Sequence, residues 1–476
     1  MQKNQEKNTF SKKNLIEVFL KQNLNLTSSP IKSLLLKIAI PSMTGSLFQT
    51  LFNLVDIFYA GKISSDALAA LAKAFPLYFI IVSAGIGIIA GCNSLIANSI
   101  GSRNSLLASI YSYHSIIYAI FVSIFITLVG IFFSEYLLKL MGSSSQSIIL
   151  SKEYIDIIFF GTIIFLILTA LNSILYAQGD TKTYRNVLFF GLIANIILNP
   201  IFIFGFLFIP PLGIAGLAIS TILIQFFACI YIFYKVNKTR FKITFKLSNF
   251  EIRRNFIFNV FNQCMPITMA LFLVATGSYL LLSFISIFGD RAVAGYGAAV
   301  RFEHLFSLPV IGLNTAVISI AGQNFGALRY DRIKEVYFTA ISIGTVIMVL
   351  SGIIIFIFAE IIISIFSSDL EVLKFGTTYL RIAAFIGPIY PVFFISHALF
   401  TALKKTYIIF YSNLFRMVIL PLIIVWSILN IFDGYYQDIF YGLLAMNWIF
   451  GGIMFLIARA IMIKSFKEEK KVFFIF

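Results

Sequence analysis

Residues 289–326, GDRAVAGYGAAVRFEHLFSLPVIGLNTAVISIAGQNFG, recur in a weaker form 225 residues earlier in the chain. The same shift aligns identical residues along the sequence, namely Pro41 with Pro266, Ala67 with Ala292, Ala69 with Ala294, Gly87 with Gly312, Gly101 with Gly326 and Tyr154 with Tyr379. Two related halves in a strongly apolar chain are typical of secondary transporters, which bind their substrate between repeats that move against each other. The repeat therefore predicts a transport protein with two homologous lobes.

The composition indicates a membrane protein. Of the 476 residues, 59% are hydrophobic and only 12% are charged, and the mean hydropathy is +0.95. A soluble protein of this size needs more polar surface than that. Apolar stretches such as 187–208 and 345–366 are long enough, at about 1.5 Å per residue, to cross a hydrocarbon core of about 30 Å. Because no stretch alternates over about 10 residues, as strands of outer-membrane barrels do, the predicted spans are helices.

The apolar runs and the breaks between them predict twelve helices, at residues 35–60, 67–98, 111–138, 153–177, 186–209, 213–235, 255–287, 291–320, 335–366, 376–403, 408–431 and 438–464. Six helices in each half give both halves the same orientation, so the repeat is parallel and its axis follows the membrane normal. The predicted fold is an all-α integral membrane protein. Its parts are a cytoplasmic N-terminal arm (1–33), an N-terminal lobe (34–235), a cytoplasmic linker (236–254), a C-terminal lobe (255–464) and a cytoplasmic tail (465–476).

The net charge of +16 has a topological explanation. Twenty-six of the 36 Lys and Arg residues fall on one side of the predicted helices, and only six fall on the other. This asymmetry follows the positive-inside rule with both termini in the cytoplasm, so the basicity requires no nucleic-acid partner. We expect a monomeric, multi-pass protein of the bacterial cytoplasmic (inner) membrane.

The motifs of several other protein classes do not occur in this chain. The phosphate-binding pattern GxxxxGK[ST] is absent, which argues against an ATP-driven pump. The hydrolase patterns HExxH and GxSxG are absent too, so an enzyme is not expected. Cys92, Cys229 and Cys264 lack CxxC spacing, which predicts packing residues rather than a disulfide or a metal site. Transport by this chain would therefore be driven by an ion gradient, with no cofactor.

Asp56, within the sequence LFNLVDIFY at 51–59, is the main candidate for ion coupling. Ionisable residues inside a membrane are costly and are functional candidates by default. Because burial disfavours the charged carboxylate, Asp56 could exchange a proton or, with oxygen ligands nearby, hold Na+. The alternative is a solvated Asp near the external end of its helix, paired with Lys62.

Four further polar residues fall in the fourth to sixth predicted helices: Asn172, Asn195, Asn199 and Thr221. Asn195 and Asn199 are four residues apart and therefore share one helix face. Together with Asp56 they could form a polar cluster for a proton or a cation. The alternative is that each makes an ordinary hydrogen bond between helices.

Two prolines, Pro41 and Pro266, fall inside predicted helices at equivalent positions of the repeat. Each proline removes one amide donor and can bend its helix or free a carbonyl group. This property suits a gating helix, although a fixed kink that serves packing alone would have the same sequence.

Three stretches of the sequence resemble the multidrug and toxic compound extrusion (MATE) antiporters, namely residues 51–76, residues 171–205 with 213–225, and residues 289–326. The resemblance extends from Pro41 to about Ile463. It implies a V-shaped pair of lobes, a central cleft, and exchange of external protons or sodium for bulky organic cations or other drugs.

The resemblance also assigns site residues. It places Asp56 at the first-helix Asp of the N-lobe cation site, Asn172 at the fourth-helix Asn and Thr221 at the sixth-helix Thr. Asn195 takes the first polar position of the fifth-helix motif. The second position of that motif is often Asp but is Asn199 here, which leaves Asp56 with more of the coupling.

Another MATE branch keeps carboxylates in the C-terminal lobe, where this chain has Val274 and about Tyr390. A C-lobe cation site of that kind is therefore not expected. Glu303, between Arg301 and His304, could substitute and recognise an organic cation.

Four residues in the C-terminal lobe remain candidates for substrate binding or coupling: Arg301, Glu303, His397 and Arg416. The structural alternative for Glu303 is a buried pair with Arg301, Arg416 or His397. His397 would titrate near neutral pH if wetted, but a lone His in an apolar helix is more often packed and hydrogen-bonded.

Two other functions compete with drug export. A flippase for lipid-linked oligosaccharides or cell-wall precursors has a related fold and handles anionic substrates, for which Lys73, Arg301 and Arg416 could supply positive charge. A membrane-embedded transferase or protease would need a catalytic dyad, and the sequence contains none.

Overall fold

The computed structural model describes residues 25–140, 145–239 and 253–473. Within these residues it contains twelve helices that are long and apolar enough to cross a membrane. We number them α1 Ile31–Ile63, α2 Ser65–Gly101, α3 Ser105–Leu140, α4 Ser145–Ala177, α5 Lys182–Phe204, α6 Gly213–Asn237, α7 Arg254–Ile285, α8 Asp290–Gly326, α9 Tyr330–Ser364, α10 Leu370–Ala402, α11 Tyr407–Asn430 and α12 Tyr436–Phe473. The predicted fold class is confirmed.

Two helices contain irregular turns that the apolar pattern did not reveal. A 3₁₀ turn, Gly387–Ile389, interrupts α10, and a π-helical segment, Leu414–Ile419, interrupts α11. Pro421 explains the second one, since it offers no amide hydrogen to the carbonyl group of Met417 four residues earlier.

Some predicted helix ends were wrong. The fifth helix stops at Phe204 instead of 209, because Gly205 has a φ of +83° and Phe206 and Ile209 then close a tight turn with two backbone hydrogen bonds of 3.0 Å. The last helix continues to Phe473, beyond the predicted end at 464. Most of the predicted linker and N-terminal arm, at 240–252 and 1–24, lies outside the described residues.

The two halves are related by a local twofold axis at the centre of the bundle. A Cβ atom on Gly101 of α2 would lie 1.9 Å from the carbonyl oxygen of Gln323 on α8, and one on Gly326 would lie 1.9 Å from that of Asn98. Asn98 and Gln323 are themselves 225 residues apart. The same contact is therefore made twice with the lobes exchanged.

A second pair of contacts shows the same exchange. Gly87 on α2 packs against Thr268 on α7, and Gly312 on α8 packs against Met43 on α1. Met43 and Thr268 again differ by 225 positions. Each lobe thus lays its first helix against the second helix of the other lobe.

The contacts between the lobes gather at one end of the bundle, which we call the basic end. It is the end at which α1 begins and α2 stops, and the loops there carry most of the Lys and Arg residues. Hydrogen bonds that join the lobes near this end include Asn93 to Ser319, Ser94 to Thr401, Gln263 to Ser94, Asn98 to Ala402 and Gln323 to Ala177. Large apolar side chains such as Phe132 and Phe160, 77% and 68% exposed, face outward and suit contact with lipid.

Candidate functional site

Asp56 is buried on α1 and is held by two amides of α5. Its Oδ1 accepts hydrogen bonds of 2.9 Å from Nδ2 of Asn195 and from Nδ2 of Asn199. The two asparagines lie one turn apart on α5, so both reach the same carboxylate oxygen. The alternative pairing with Lys62 is not formed, since the Lys62 ammonium lies 5.5 Å from the centre of the Phe58 ring and has no ion pair with Asp56.

A residue that sequence reasoning missed, Ser220 on α6, completes the cluster. Its hydroxyl donates to Oδ1 of Asn199, whose amide nitrogen also lies 3.2 Å from Oδ1 of Asn195. Thr221, the residue predicted from α6, instead donates to the Leu217 carbonyl of its own helix at 3.1 Å. The sequence signal was present, because Ser220 directly precedes Thr221, but only the packing of α6 on α5 selects between them.

Asn172 lies on α4 and is not joined to Asp56 by a hydrogen bond. Neither polar atom of its buried amide has a hydrogen-bond partner of normal geometry in the described part of the chain. The Tyr176 hydroxyl lies near both Asn172 and Ser42. Two other phenols, Tyr78 and Tyr154, lie close enough to Asp56 to interact with its charge. The structure therefore surrounds Asp56 with asparagine amides and phenols.

A small cavity adjoins this cluster. It lies between α2, α4 and α6 and is lined by Tyr78, Ile81, Ile158, Gly161, Thr162, Phe165, Thr221, Ile222 and Gln225. Thr221 therefore contributes to the wall of the cavity and makes no hydrogen bond to Asp56.

Chemically, Asp56 keeps one free oxygen. Oδ1 accepts both amide hydrogen bonds, whereas Oδ2 accepts none from the described residues. Oδ2 can therefore take a proton or serve as one ligand of a monovalent cation. No group of three or more His, Cys, Asp or Glu side chains that could hold a metal ion occurs within residues 25–140, 145–239 and 253–473.

Glu303 occupies the corresponding region of the C-terminal lobe. Its two carboxylate oxygens accept hydrogen bonds of 2.5 Å from the hydroxyl groups of Tyr379 and Tyr390. The buried ion pair considered from the sequence is not formed, and the carboxylate is held by these two phenols instead. Arg301 is exposed. Glu303 is equivalent by the 225-residue shift to Tyr78, and Tyr379 is equivalent to Tyr154. Each lobe therefore places one acid beside these equivalent positions. The acid comes from α1 in the N-terminal lobe, as Asp56, and from α8 in the C-terminal lobe, as Glu303.

Arg416 and His397 lie in the interior of the C-terminal lobe. The Arg416 guanidinium lies 3.8 Å from the centre of the Phe393 ring, and its Nε donates to Oδ1 of Asn447 at 2.9 Å. Nε2 of His397 lies 3.2 Å from the Ser412 hydroxyl. Neither side chain forms an ion pair with Glu303 in the described structure.

Pro41 and Pro266 lie inside α1 and α7, beside the contacts between the lobes. Pro266 stands between Cys264 and Thr268, which both contact α2. The thiols of Cys92 on α2 and Cys264 on α7 form a hydrogen bond, with their sulfur atoms 3.7 Å apart, and no disulfide. Both helices that carry the prolines would therefore have to shift if the basic end opened.

Comparison with known proteins supports the two-lobe architecture. A family model described as MatE matches residues 41–201 and 266–426, two segments offset by 225 residues. The chain is 25% identical to the probable multidrug resistance protein YoeA of Bacillus subtilis, over 72% of this chain and 75% of the relative. It is 26% identical to the FAD transporter of Shewanella oneidensis, over 85% and 89% of the two chains.

The fold also matches a solved structure. A multidrug resistance MATE family transporter of the MOP superfamily, in an outward-facing conformation, superimposes with a TM-score of 0.86. The match covers 94% of this chain and 99% of the other, at 23% sequence identity.

Proposed function

This chain belongs to the MATE family of multidrug efflux transporters, and from that premise we propose that it is a secondary active exporter. It exchanges external protons or sodium for organic, mostly cationic, compounds by alternating access. It is a multi-pass membrane protein, and we place it as a monomer in the bacterial cytoplasmic membrane with both termini in the cytoplasm. The basic end then faces the cytoplasm, and the contacts between the lobes close that end, as expected for an outward-open state.

The observation that carries this proposal is the buried carboxylate of Asp56 with its two amide donors. Hydrogen bonds from Asn195 and Asn199 stabilise the charged form, and protonation of Oδ2 would weaken both. A proton that crosses from outside to the cytoplasm supplies about 2.3 kcal/mol per 100 mV of membrane potential. If the protonated form favours the state that releases the compound outward, the gradient drives export.

The orientation of the two amides favours protons over sodium as the coupling ion. Both side chains turn their nitrogens, which are donors, towards Asp56. A bound Na+ needs several oxygen ligands, and these two nitrogens supply none. Protonation of Asp56 needs no further ligand.

The test is ethidium efflux from cells that express the wild-type chain, Asp56→Asn or the matched control Asp66→Asn. Asp66 is exposed at the start of α2, so its substitution tests for unspecific effects of losing an acid. We expect efflux that requires Asp56, tolerates Asp66→Asn and collapses with a protonophore. Loss only when external sodium is removed would reassign the coupling ion, and normal efflux by Asp56→Asn would refute the mechanism.

A flippase for lipid-linked oligosaccharide or cell-wall precursors is the second candidate. The buried cation Arg416 favours it, because such substrates are anionic. Lys73 supports it less, since its ammonium donates to Ser147 at 3.0 Å. If wild-type cells export no cationic dye but the purified protein moves a fluorescent lipid pyrophosphate across vesicles, the flippase function replaces drug export.

A further inference from the structure

The side chain of Arg416 is a buried cation that forms no direct ion pair in the described structure. It is 8% exposed and forms no ion pair with any described carboxylate. An isolated charge in a protein interior is costly unless it is paired and hydrogen-bonded. Tyr390 and Glu303 lie close enough to interact with the charge of Arg416, but no described carboxylate forms an ion pair with it.

The surroundings of Arg416 hold the guanidinium in one orientation. Nε is fixed by Asn447 at 2.9 Å, and the planar group lies 3.8 Å from the centre of the Phe393 ring and 5.4 Å from that of Tyr390. Stacking of this kind restrains the plane of an arginine while leaving its edge free. The side chain is therefore preorganised.

The two terminal nitrogens of the Arg416 guanidinium have no hydrogen-bond acceptor among the described residues. Nη1 and Nη2 donate to no described residue, and neither is completely sealed from solvent. Two parallel N–H groups at this edge match the two oxygens of a carboxylate or phosphate. Glu303 does not fill this role in the described structure, where its oxygens accept hydrogen bonds from Tyr379 and Tyr390.

The backbone at Arg416 is also unusual. The residue lies in the π-helical segment Leu414–Ile419, a type of turn that is frequent at functional sites. Gly277 on α7 lets this segment approach closely, since a Cβ atom there would lie 2.0 Å from the carbonyl oxygen of Met417. The π turn changes the direction in which α11 presents Arg416 to α10 and α12.

We propose that Arg416, with Phe393, Tyr390 and Asn447, forms an anion subsite in the C-terminal lobe that binds the carboxylate or phosphate group of an exported organic compound. This inference rests on the proposed export function and assigns to Arg416 the binding of an anionic group on the exported compound. Aromatic walls beside a guanidinium suit a planar, aromatic molecule that carries such a group.

The test uses rhodamine B and its ethyl ester, two dyes that differ only in a free carboxylate. Fluorescence anisotropy measures the binding of each to purified protein in phosphatidylcholine nanodiscs. In Arg416→Gln we expect rhodamine B affinity to fall by about tenfold or more, the loss typical of a charge-assisted hydrogen bond, while the affinity for the ester changes by less than about twofold. Arg416→Lys keeps the positive charge but lacks the two parallel N–H donors of a guanidinium, so the affinity for rhodamine B should fall by an intermediate amount.

The matched control is Arg381→Gln. Arg381 lies in the same lobe and faces an aromatic ring, Phe356 at 5.9 Å, but is exposed. Its substitution should leave both affinities unchanged. Retained binding of the ester shows that each variant is folded.

Several outcomes would overturn the subsite. These are an equal loss for both dyes, no loss for either, and a wild-type protein that does not bind rhodamine B. Discs that contain phosphatidylglycerol separate the two sources of an oxyanion. If this lipid weakens rhodamine B binding to the wild type but not to Arg416→Gln, a lipid headgroup occupies the site, and the assignment to an exported compound is wrong.

The binding assay needs no ion gradient, so its result is independent of export. If the dyes discriminate as expected but cells export no dye, the proposed function fails while the subsite stands. If ethidium efflux is normal but the dyes do not discriminate, only the subsite fails.

Discussion

Asn98 and Gln323 make the same hydrogen bond from opposite lobes. Nδ2 of Asn98 on α2 donates to the carbonyl oxygen of Ala402 at the end of α10, at 3.0 Å, and Nε2 of Gln323 on α8 donates to that of Ala177 at the end of α4, at 2.7 Å. Donors and acceptors are both related by the shift of 225. These two symmetric bonds contribute to the closure of the basic end, and alternating access would have to break them.

The first prediction concerns these two bonds. Asn98→Leu and Gln323→Leu each leave a buried carbonyl without this donor, which costs about 1–3 kcal/mol. We expect each variant to populate the state with an open basic end more often, and the double variant to show the largest effect. Labelling by maleimide of a cysteine placed at Ala39, which lies against Gly312 in the closed interface, measures that state. Equal labelling of wild type and variants would contradict the prediction.

The second prediction uses the natural thiols across the interface. The sulfurs of Cys92 and Cys264 are 3.7 Å apart, so copper phenanthroline should oxidise them to a disulfide that fixes α2 to α7. Efflux should stop and should return after reduction with dithiothreitol. Peptide mass spectrometry identifies the crosslink. Cys264→Ala is the control, and inhibition that persists in this variant would show that the oxidant acts elsewhere.

The third prediction separates the two neighbours on α6. Ser220→Ala removes the hydroxyl that donates to Asn199, so the amide that holds Asp56 loses its support. Efflux should fall several-fold. Thr221→Val removes a hydroxyl that bonds only within its own helix and should cost less. Initial rates of ethidium efflux at matched expression decide the order, and a larger loss in Thr221→Val would show that the wrong neighbour was chosen.

The fourth prediction concerns the close contact of the lobes. Gly101→Ala and Gly326→Ala each place a methyl group 1.9 Å from a backbone oxygen of the other lobe. Overpacking of this kind costs about 1–3 kcal/mol, so the melting temperature in detergent should fall. Gly297→Ala, also on α8, is the control because nothing lies within 4 Å of its Cβ position. If all three variants melt at the same temperature, the lobes do not touch there.

The fifth prediction concerns the pH dependence of stability at Asp369, which lies just before α10 and outside the membrane-spanning helices. Backbone amides of Glu371 and Val372, with the charge of Arg291, hold the pKa of Asp369 below its usual 3.8. A lowered pKa in the folded state gives a stabilisation that is complete well above pH 3.8 and is lost as the pH falls through the folded pKa. Asp369→Asn should therefore flatten the acid side of the melting-temperature profile. An unchanged profile would refute this.

Much of the fold followed from local patterns. The length of apolar runs predicted twelve helices, and an even number in each half predicted a parallel repeat. Helix ends were less predictable at 205–209, where the residues are apolar but the backbone turns at Gly205. Hydropathy cannot report such a turn, because it measures only the preference for lipid and not the conformation of a single glycine.

The candidate site was predictable in part. Four-residue spacing on one helix placed Asn195 and Asn199 on a shared face, and the cost of an acid in lipid singled out Asp56. Ser220 was missed because adjacent residues on a helix point about 100° apart, and the sequence does not state which one faces a neighbour. The partners of Glu303 were missed because both tyrosines come from α10, far along the chain.

The sequence by itself determined that this chain lies in a membrane and that it has two six-helix halves. It also singled out Asp56 as the main candidate for ion coupling, because an acid inside a membrane costs free energy. These properties depend on the transfer of single segments into lipid, which is a local quantity. Only the tertiary structure decided that Glu303 binds two tyrosines, that Arg416 forms no ion pair with a described carboxylate, and that the lobes meet at the basic end. Those features depend on which helix faces which, and that is settled by the packing of side chains from distant segments.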